Sequence, residues 1–258
     1  MRESGGWKVD YIILDIEFNG RKFASDLPME VIEIGAVRLD ESLKIVNEFS
    51  SLIKPVYFPK LNNFIKKKTG IPQNELDIAP GFPPVIAEFE KWLGDADSFL
   101  LFTWGGEDIK RIVFDTRMHK LNEAYWTSLH YFDLLKGYLR YKKVTNDVSV
   151  EAALLDLGID PEGSAHRALD DARMTAEVFR KIAADLDLSL KQQYKDQFSN
   201  SKERRLIKNA VRTMLAQKKP QTWEAFVENY LAEKIPLTDP RKAAELREYF
   251  HSELEKKK

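Results

Sequence analysis

All strand-like segments of this chain lie in its first 103 residues, and the segments after them have helical spacing. Residues 9–16 form a short apolar run with β-branched members, which is typical of a strand buried on both faces. Residues 31–39, 45–53 and 98–103 have the same strand character. This order predicts an α/β fold in which a mixed β-sheet is flanked by helices.

Helical spacing of apolar residues predicts helices on both sides of the last strand-like segment. The segments are residues 61–68, 85–93, 109–118, 132–141, 149–157 and 168–186, and then 202–217, 222–233 and 239–255 in the tail. A chain of 258 residues has room for one main domain and a small appendage. We therefore predict a sheet domain over residues 1–186 and a helical C-terminal extension over residues 187–258.

Cysteine is absent from the sequence, which excludes disulfides, thiolate metal sites and a cysteine nucleophile. A bound metal must therefore use oxygen or imidazole ligands. The sequence has no apolar stretch of about 18 residues that could span a bilayer. Residues 1–10 lack the apolar run of a secretory signal, so we expect a cytoplasmic location.

The tail is basic although the net charge of the whole chain is only −1. Residues 186–258 contain 16 Lys and Arg against 11 Asp and Glu, a net charge of +5. Basic residues recur there at helical spacing, at Arg204, Arg205, Lys208 and Arg212. They predict either a stripe that contacts phosphates or the solvated face of a helix with Leu206, Val211 and Leu215 as its buried seam. The sequence leaves both interpretations open.

Three acidic residues are expected at one end of the predicted sheet. Asp15 and Glu17 stand two residues apart at a strand end, so the pleat points both to the same face at a separation of about 7 Å. Asp108 follows another strand end and the turn at Gly105 and Gly106. Acids at such positions indicate a cation site, although each pattern alone is also typical of ordinary strand and helix ends.

His166 lies five residues before Asp171, on the approach to a predicted helix. Asp171 can turn inward with that helix, while an imidazole before the helix can reach a water molecule. By itself this pattern also fits acids that complement a helix dipole, which is the only role we assign to Asp170.

Other titratable residues are interpreted as lacking a chemical role. His119 and His130 are taken to have no acidic partner at ligand spacing. Asp115 and Asp133 are assigned to helix faces, where salt bridges are the usual role of an acid.

The order of these motifs resembles the DEDDh exonucleases of the DnaQ-like group, which have a ribonuclease H-like fold. The likeness covers roughly residues 9–186 and is strongest to the KapD-like and Eri-like branch, which trims RNA 3′ ends. Residues 31–36 look like the second strand of that branch. Residues 61–64, followed by 69–71, look like its connecting helix.

The resemblance implies an exonuclease domain over residues 1–186 that holds two Mg²⁺ or Mn²⁺ ions. Their ligands would be the carboxylates of Asp15, Glu17, Asp108 and Asp171, and His166 would be the general base. The implied reaction is hydrolysis from the 3′ end of single-stranded nucleic acid, RNA in preference to DNA, with release of nucleoside 5′-monophosphates.

Three residues are predicted to contact the substrate: Phe18, Asn19 and Phe64. Glu107 occupies a position where some relatives have an aromatic residue, and it could compete with Asp108 as a ligand. Two alternatives remain at this point. One is a catalytically idle nuclease fold that regulates or binds RNA. The other is an endonuclease of the same fold in which His166 is incidental.

Overall fold

The structure is a computed structural model that describes residues 10–20, 29–161, 166–231 and 234–256. The chain divides into two compact units, Met1–Tyr194 and Lys195–Lys258. Within the described ranges, none of the helices has the length and apolar character needed to cross a membrane.

Five strands form one mixed sheet in the first unit. They are β1 (Asp10–Asn19), β2 (Glu30–Leu39), β3 (Ile45–Leu52), β4 (Phe99–Thr103) and β5 (Tyr131–Asp133). The order is β3-β2-β1-β4-β5, so β1 is the central strand. The β1–β2 and β2–β3 pairs are antiparallel, whereas the β1–β4 and β4–β5 pairs are parallel. The predicted mixed sheet is confirmed.

Eight α-helices belong to this unit in the described ranges: α1 (Asn63–Thr69), α2 (Gln73–Ile78), α3 (Phe82–Leu93), α4 (Glu107–Met118), α5 (Ala124–Ser128), α6 (Leu134–Lys142), α7 (Val150–Asp156) and α8 (Ala168–Ile182). The short helices α2 and α5 were not predicted. The predicted helix over residues 132–141 was wrong at its start, because Tyr131–Asp133 pairs with β4. A strand of three residues is too short to show a period of two.

Helices cover both faces of the sheet. On β1, Ile12, Leu14 and Ile16 belong to the core that includes apolar residues of α3, α4 and α5. Ile13 belongs to the opposite core, which includes apolar residues of α6, α7 and α8. Because side chains alternate along a strand, positions 15 and 17 share the face of Ile13.

The start of α8 lies directly against β2 at Gly35. A Cβ atom built on Gly35 would lie 2.1 Å from the backbone nitrogen of Leu169 and 2.2 Å from the carbonyl carbon of Ala168. Only a residue without a side chain allows this approach. Gly35 is opposite Asp15 in the sheet, so the approach brings α8 over the end of β1.

The second unit contains α9 (Ser201–Ala216), α10 (Trp223–Phe226), which continues as a π-helical turn over Val227–Leu231, and α11 (Pro240–Glu255). These helices enclose a separate apolar core. On α9, Ile207, Val211 and Met214 are buried, while Leu206 and Leu215 of the predicted seam are only partly buried.

The predicted basic residues of α9 differ in their surroundings. Arg204 is half-buried, and its guanidinium lies 3.6 Å from the carboxylate of Glu245. Arg205, Lys208 and Arg212 are exposed. Their role stays a prediction.

The last residues of the first unit also bear on the predicted domain boundary. Gln192 exchanges two backbone hydrogen bonds of 2.8 Å with Tyr131 of β5, which places it in the first unit. A division after residue 186 remains a prediction.

Candidate active site

The carboxylates of β1 lie at the carboxyl end of the central strand. Asp15 is opposite Gly35 and Glu17 is opposite Glu33, and a register shift follows between Glu17 and Phe18. Asp15 is half-buried, and Glu17 is 4% exposed. Both side chains therefore face α8 from a sheltered position.

Asp108 reaches the same end of the sheet from the first turn of α4. The chain leaves β4, the parallel neighbour of β1, and turns at Gly105, whose φ of +103° favours glycine. The hydroxyl of Thr103 donates to the carbonyl oxygen of Gly105 within this turn. Asp108 is buried, and burial raises the pKa of its carboxyl to about 7, while a backbone hydrogen bond from Ile16 on β1 opposes the rise.

Asp171 and His166 come to the site with α8. The backbone N–H of His166 donates to both carboxylate oxygens of Asp171, at 3.2 and 3.1 Å. Ligand atoms of Glu17, His166 and Asp171 all lie within 4.8 Å of one another. Strand and helix residues far apart in sequence thus meet in one cluster.

Electrostatic interactions join all four carboxylates. Burial raises the pKa of Asp15 well above its ordinary value, and the charges of Asp108, Asp171 and Glu17 raise it further. Burial also raises the pKa of Glu17 to about 7 and that of Asp171 above its usual value. Desolvated carboxylates that repel one another are stabilised in their charged form by a cation, so this donor set fits hard divalent ions.

An ion pair between Arg167 and Glu33, which the sequence did not single out, holds the residues just before α8. Arg167 donates to the buried carboxylate of Glu33 from Nε at 3.0 and 3.2 Å and from Nη2 at 2.7 Å. The N–H of Ala168 donates to the same carboxylate at 3.1 Å. An acid inside the otherwise apolar strand at residues 31–36 was the available signal, because buried acids are seldom unpaired.

Lys68, in the last turn of α1, is another residue of the site that the sequence did not single out. Its positive charge lowers the pKa of Asp15 and Glu17, against the larger effect of burial. The sequence contained no signal for this role, because Lys68 ends a run of three lysines that looks like a solvated helix face.

The predicted substrate contacts have different environments. Phe64 is 71% exposed on α1, so its ring is free to stack on a base. Phe18 is partly buried, and the guanidinium of Arg111 lies 5.3 Å from its ring centre. Asn19 is fully buried and donates to the carbonyl oxygens of Phe58 and Lys60 at 2.9 and 3.1 Å.

The Asn19 amide therefore anchors the chain that leads into α1. Its carbonyl oxygen also accepts the N–H of Asn62 at 3.0 Å. A direct contact of Asn19 with substrate stays a prediction. Glu107 is exposed and forms 2.9 Å salt bridges with Lys110 and Arg111, which direct it along the outside of α4.

A mixed five-stranded sheet that gathers four carboxylates and a histidine at its central strand defines a nuclease of the ribonuclease H-like class. Residues 12–179 match the model of the exonuclease family RNase_T. The chain belongs to this family of DEDDh 3′-to-5′ exonucleases, and it is a hydrolase of that family.

The curated relatives include an enzyme named as an exoribonuclease and a subunit of a DNA polymerase. ERI1 exoribonuclease 2 of Danio rerio is 30% identical over 67% of this chain and 35% of that protein. DNA polymerase III subunit epsilon of Aquifex aeolicus is 32% identical over 68% of this chain and 81% of that protein. The probable 3'-5' exonuclease KapD of Bacillus subtilis is 27% identical over 67% of this chain and 84% of that protein. The match thus spans about a third of the zebrafish relative.

Solved structures show the same fold. The nuclease domain of 3'hExo, a DEDDh family member bound to rAMP, has a TM-score of 0.63 at 22% identity and covers 74% of this chain and 98% of that chain. Pop2p of S. pombe, in a form with Mg²⁺ and Mn²⁺, has a TM-score of 0.55 at 18% identity. The match covers 71% of this chain and 89% of that chain. These likenesses establish the predicted ribonuclease H-like architecture.

Proposed function

We propose that this protein removes nucleoside 5′-monophosphates from the 3′ end of single-stranded RNA. The observation that carries the proposal is the convergence of Asp15, Glu17, Asp108 and Asp171 with the imidazole of His166. The names of the exoribonuclease relatives support RNA as the substrate, and the polymerase subunit makes DNA the competitor to be measured.

Asp15, Glu17, Asp108 and Asp171 would hold two Mg²⁺ or Mn²⁺ ions, the hard cations that carboxylate oxygens prefer. When bound, such ions supply positive charge against the phosphodiester oxygens during displacement. The carboxylates would offset the positive charge of the ions and hold the ions in place. The burial of Glu17 and Asp108 strengthens their electrostatic interactions.

His166 is proposed to accept the proton of the attacking water. Its ring lies beside Glu17 and Asp171, and its backbone N–H is already bound to Asp171. Asp171 therefore fixes the backbone from which the imidazole projects. Imidazole is the side chain that best accepts a proton near neutral pH.

Binding of the 3′ end would use the exposed groups around the cluster. The ring of Phe64 would stack on a base, and Lys68 would face the phosphate that lies next to the carboxylates. Neither contact reads base identity, so we expect weak sequence preference. A cytoplasmic location is part of this proposal and follows only from the sequence.

The first prediction tests polarity and substrate with end-labelled single-stranded oligomers. We expect stepwise loss of mononucleotides from a free 3′ hydroxyl, with RNA cleaved faster than DNA of the same sequence. A 3′ phosphate should stop digestion, and a 5′ block should not. Asp15→Asn serves as the inactive control. Cleavage of a circular substrate, or digestion from the 5′ end, would overturn the proposal.

A further inference from the structure

A second cluster of ligand-type side chains joins the start of β2 to the end of α4. It consists of Glu30, Asp115 and His119, whose ligand atoms all lie within 4.8 Å of one another. Glu30 is 1% exposed and Asp115 is fully buried. The view that His119 lacks an acidic partner was wrong, because its Nε2 lies 3.4 Å from Oδ1 of Asp115, which is the ion-pair distance expected of a salt-bridging acid on this helix. The spacing of four residues places both on one side of the helix.

Asp115 has one carboxylate oxygen that accepts a hydrogen bond and one that does not. Its Oδ2 accepts the backbone N–H of Val31 at 2.8 Å. Its Oδ1 is buried and accepts no hydrogen bond within the described part of the chain. A buried carboxylate oxygen that accepts no hydrogen bond is destabilising, because its lost contacts with water are not replaced. The atom therefore requires a proton or a cation.

The position of His119 favours a cation over a proton. Its Nε2 lies 3.4 Å from Oδ1 of Asp115 without forming a hydrogen bond. Two ligands bound tetrahedrally to Zn²⁺ at about 2.0–2.1 Å lie about 3.4 Å apart. This separation is the one expected for two atoms that share a cation.

The other groups of the cluster are held in place. The carboxylate of Glu30 accepts the N–H of Val56 at 2.7 Å and the N–H of Phe58 at 2.5 Å. The imidazole of His119 stacks on the ring of Phe82 at a centroid distance of 5.3 Å. Hydrogen-bonded carboxylate oxygens retain a free lone pair, and such outer contacts are what orient metal ligands.

We propose that Glu30, Asp115 and His119 form a second metal site, separate from the active site, that binds Zn²⁺. An imidazole beside two carboxylates selects a first-row transition ion such as Zn²⁺ over Mg²⁺. The bound ion would tie the end of α4 to the start of β2 and to the chain at residues 56–58. Since α4 begins with the turn that carries Asp108, the site stabilises the helix that supplies an active-site carboxylate.

A bound ion would neutralise both carboxylates of the cluster and use the oxygen of Asp115 that accepts no hydrogen bond.

The test uses the full chain with Asp15→Asn and Asp171→Asn, which removes ligands of the active site. We expect equilibrium dialysis to show one Zn²⁺ bound per chain and Co²⁺ to give visible absorption bands of a low-coordinate site. Adding His119→Gln or Glu30→Gln should weaken Zn²⁺ binding by at least about tenfold and remove the Co²⁺ bands. His130→Gln, outside both clusters, is the matched control.

Circular dichroism establishes that each variant is folded. His119→Gln changes a side chain that is 12% exposed, so it is the variant least prone to disturb the core. Folded protein with Asn at positions 15 and 171 that binds no Zn²⁺ would overturn the proposal. Zn²⁺ binding that is unchanged in both the His119→Gln and the Glu30→Gln variants would also overturn it. Neither result bears on the exonuclease assignment, because the active site is already disabled.

Discussion

His166 has a left-handed backbone conformation, with φ at 72°. This conformation costs a residue with a side chain about 1–2 kcal/mol. It directs the N–H of His166 at the carboxylate of Asp171, which accepts it with both oxygens. The backbone of His166 therefore helps to position a proposed metal ligand, whereas its imidazole is the group proposed to accept the proton of the attacking water.

The second prediction separates these two roles of His166. Asn accepts the left-handed region more readily than most residues, so His166→Asn keeps the backbone bond and removes the base. We expect its rate to fall by about two to four orders of magnitude, the usual contribution of a general base. Calorimetry should show that Mg²⁺ still binds. Comparison with His166→Ala measures the backbone effect. Loss of Mg²⁺ binding in His166→Asn would show that the imidazole is a ligand.

At the scale of secondary structure, the site depends on how closely α8 approaches β2. Gly35 leaves room for the backbone of Ala168 and Leu169. The Glu33–Arg167 ion pair holds the residues just before the helix. Both contacts act on the segment that carries His166 and Asp171, so packing on β2 sets the geometry of the cluster on β1.

The third prediction is that Gly35→Ala lowers both stability and activity. Its Cβ would overlap the backbone of α8, and that backbone cannot move aside as a flexible side chain can. We expect a loss of about 1–3 kcal/mol or more in the free energy of unfolding, as overpacking usually causes. Urea denaturation measures this loss. Gly81→Ala is the matched control, since its Cβ would meet only a side-chain atom of Pro83 at 3.8 Å. Equal stabilities of the two variants would contradict the packing argument.

For the whole molecule, the buried carboxyls couple stability to pH. Burial raises the pKa of Glu17 and Asp108 to about 7, from ordinary values of 4.5 and 3.8. Between about pH 4 and pH 7 the folded chain therefore holds more protons than the unfolded chain. The free energy of unfolding then falls as pH rises. The stability from these protonated groups is complete below the unfolded pKa values and lost above about pH 7.

The fourth prediction concerns this pH dependence with a chelator present. We expect the Tm to fall between pH 5.5 and pH 8, and Mg²⁺ to reduce the fall because a cation stabilises the ionised carboxylates. Asp108→Asn should flatten the profile in chelator, since it removes one of the shifted groups. Differential scanning calorimetry at matched ionic strength measures both effects. A Tm that rises over this range in the chelator would contradict the assigned pKa shifts.

The fifth prediction concerns the C-terminal unit and the end of the nuclease domain. A chain ending at Tyr194 keeps the hydrogen bonds between Gln192 and Tyr131, whereas a chain ending at Leu186 loses them. We expect the longer form to be folded and active on dinucleotides, and the shorter form to have a lower Tm.

Kinetics of the longer form also test the basic residues of α9. If Arg205, Lys208 and Arg212 bind phosphates, truncation should raise the KM for long RNA more than the KM for dinucleotides and weaken the salt dependence. An unchanged KM for long RNA would leave these residues as a solvated helix face.

The sequence by itself determined the kind of sheet, and the order of its motifs gave the resemblance that implied the five residues proposed for catalysis. Asp15 and Glu17 lie two apart on a strand, so the period of two placed them on one face before any packing was known. Asp108 and Asp171 begin helices, and their signals were local turns and helix starts. Such features depend on neighbouring residues and are therefore visible in the chain order.

Tertiary structure alone decided the contacts between residues far apart in sequence. Asp115 looks like a surface acid on its helix, but α4 packs its side against β2 and brings Glu30 to the pair that Asp115 forms with His119. Lys68 looks like one lysine among three until α1 is placed beside the carboxylates. Whether a charged side chain is solvated or buried depends on which surface covers it, and that is fixed by packing across the whole sheet rather than by local spacing.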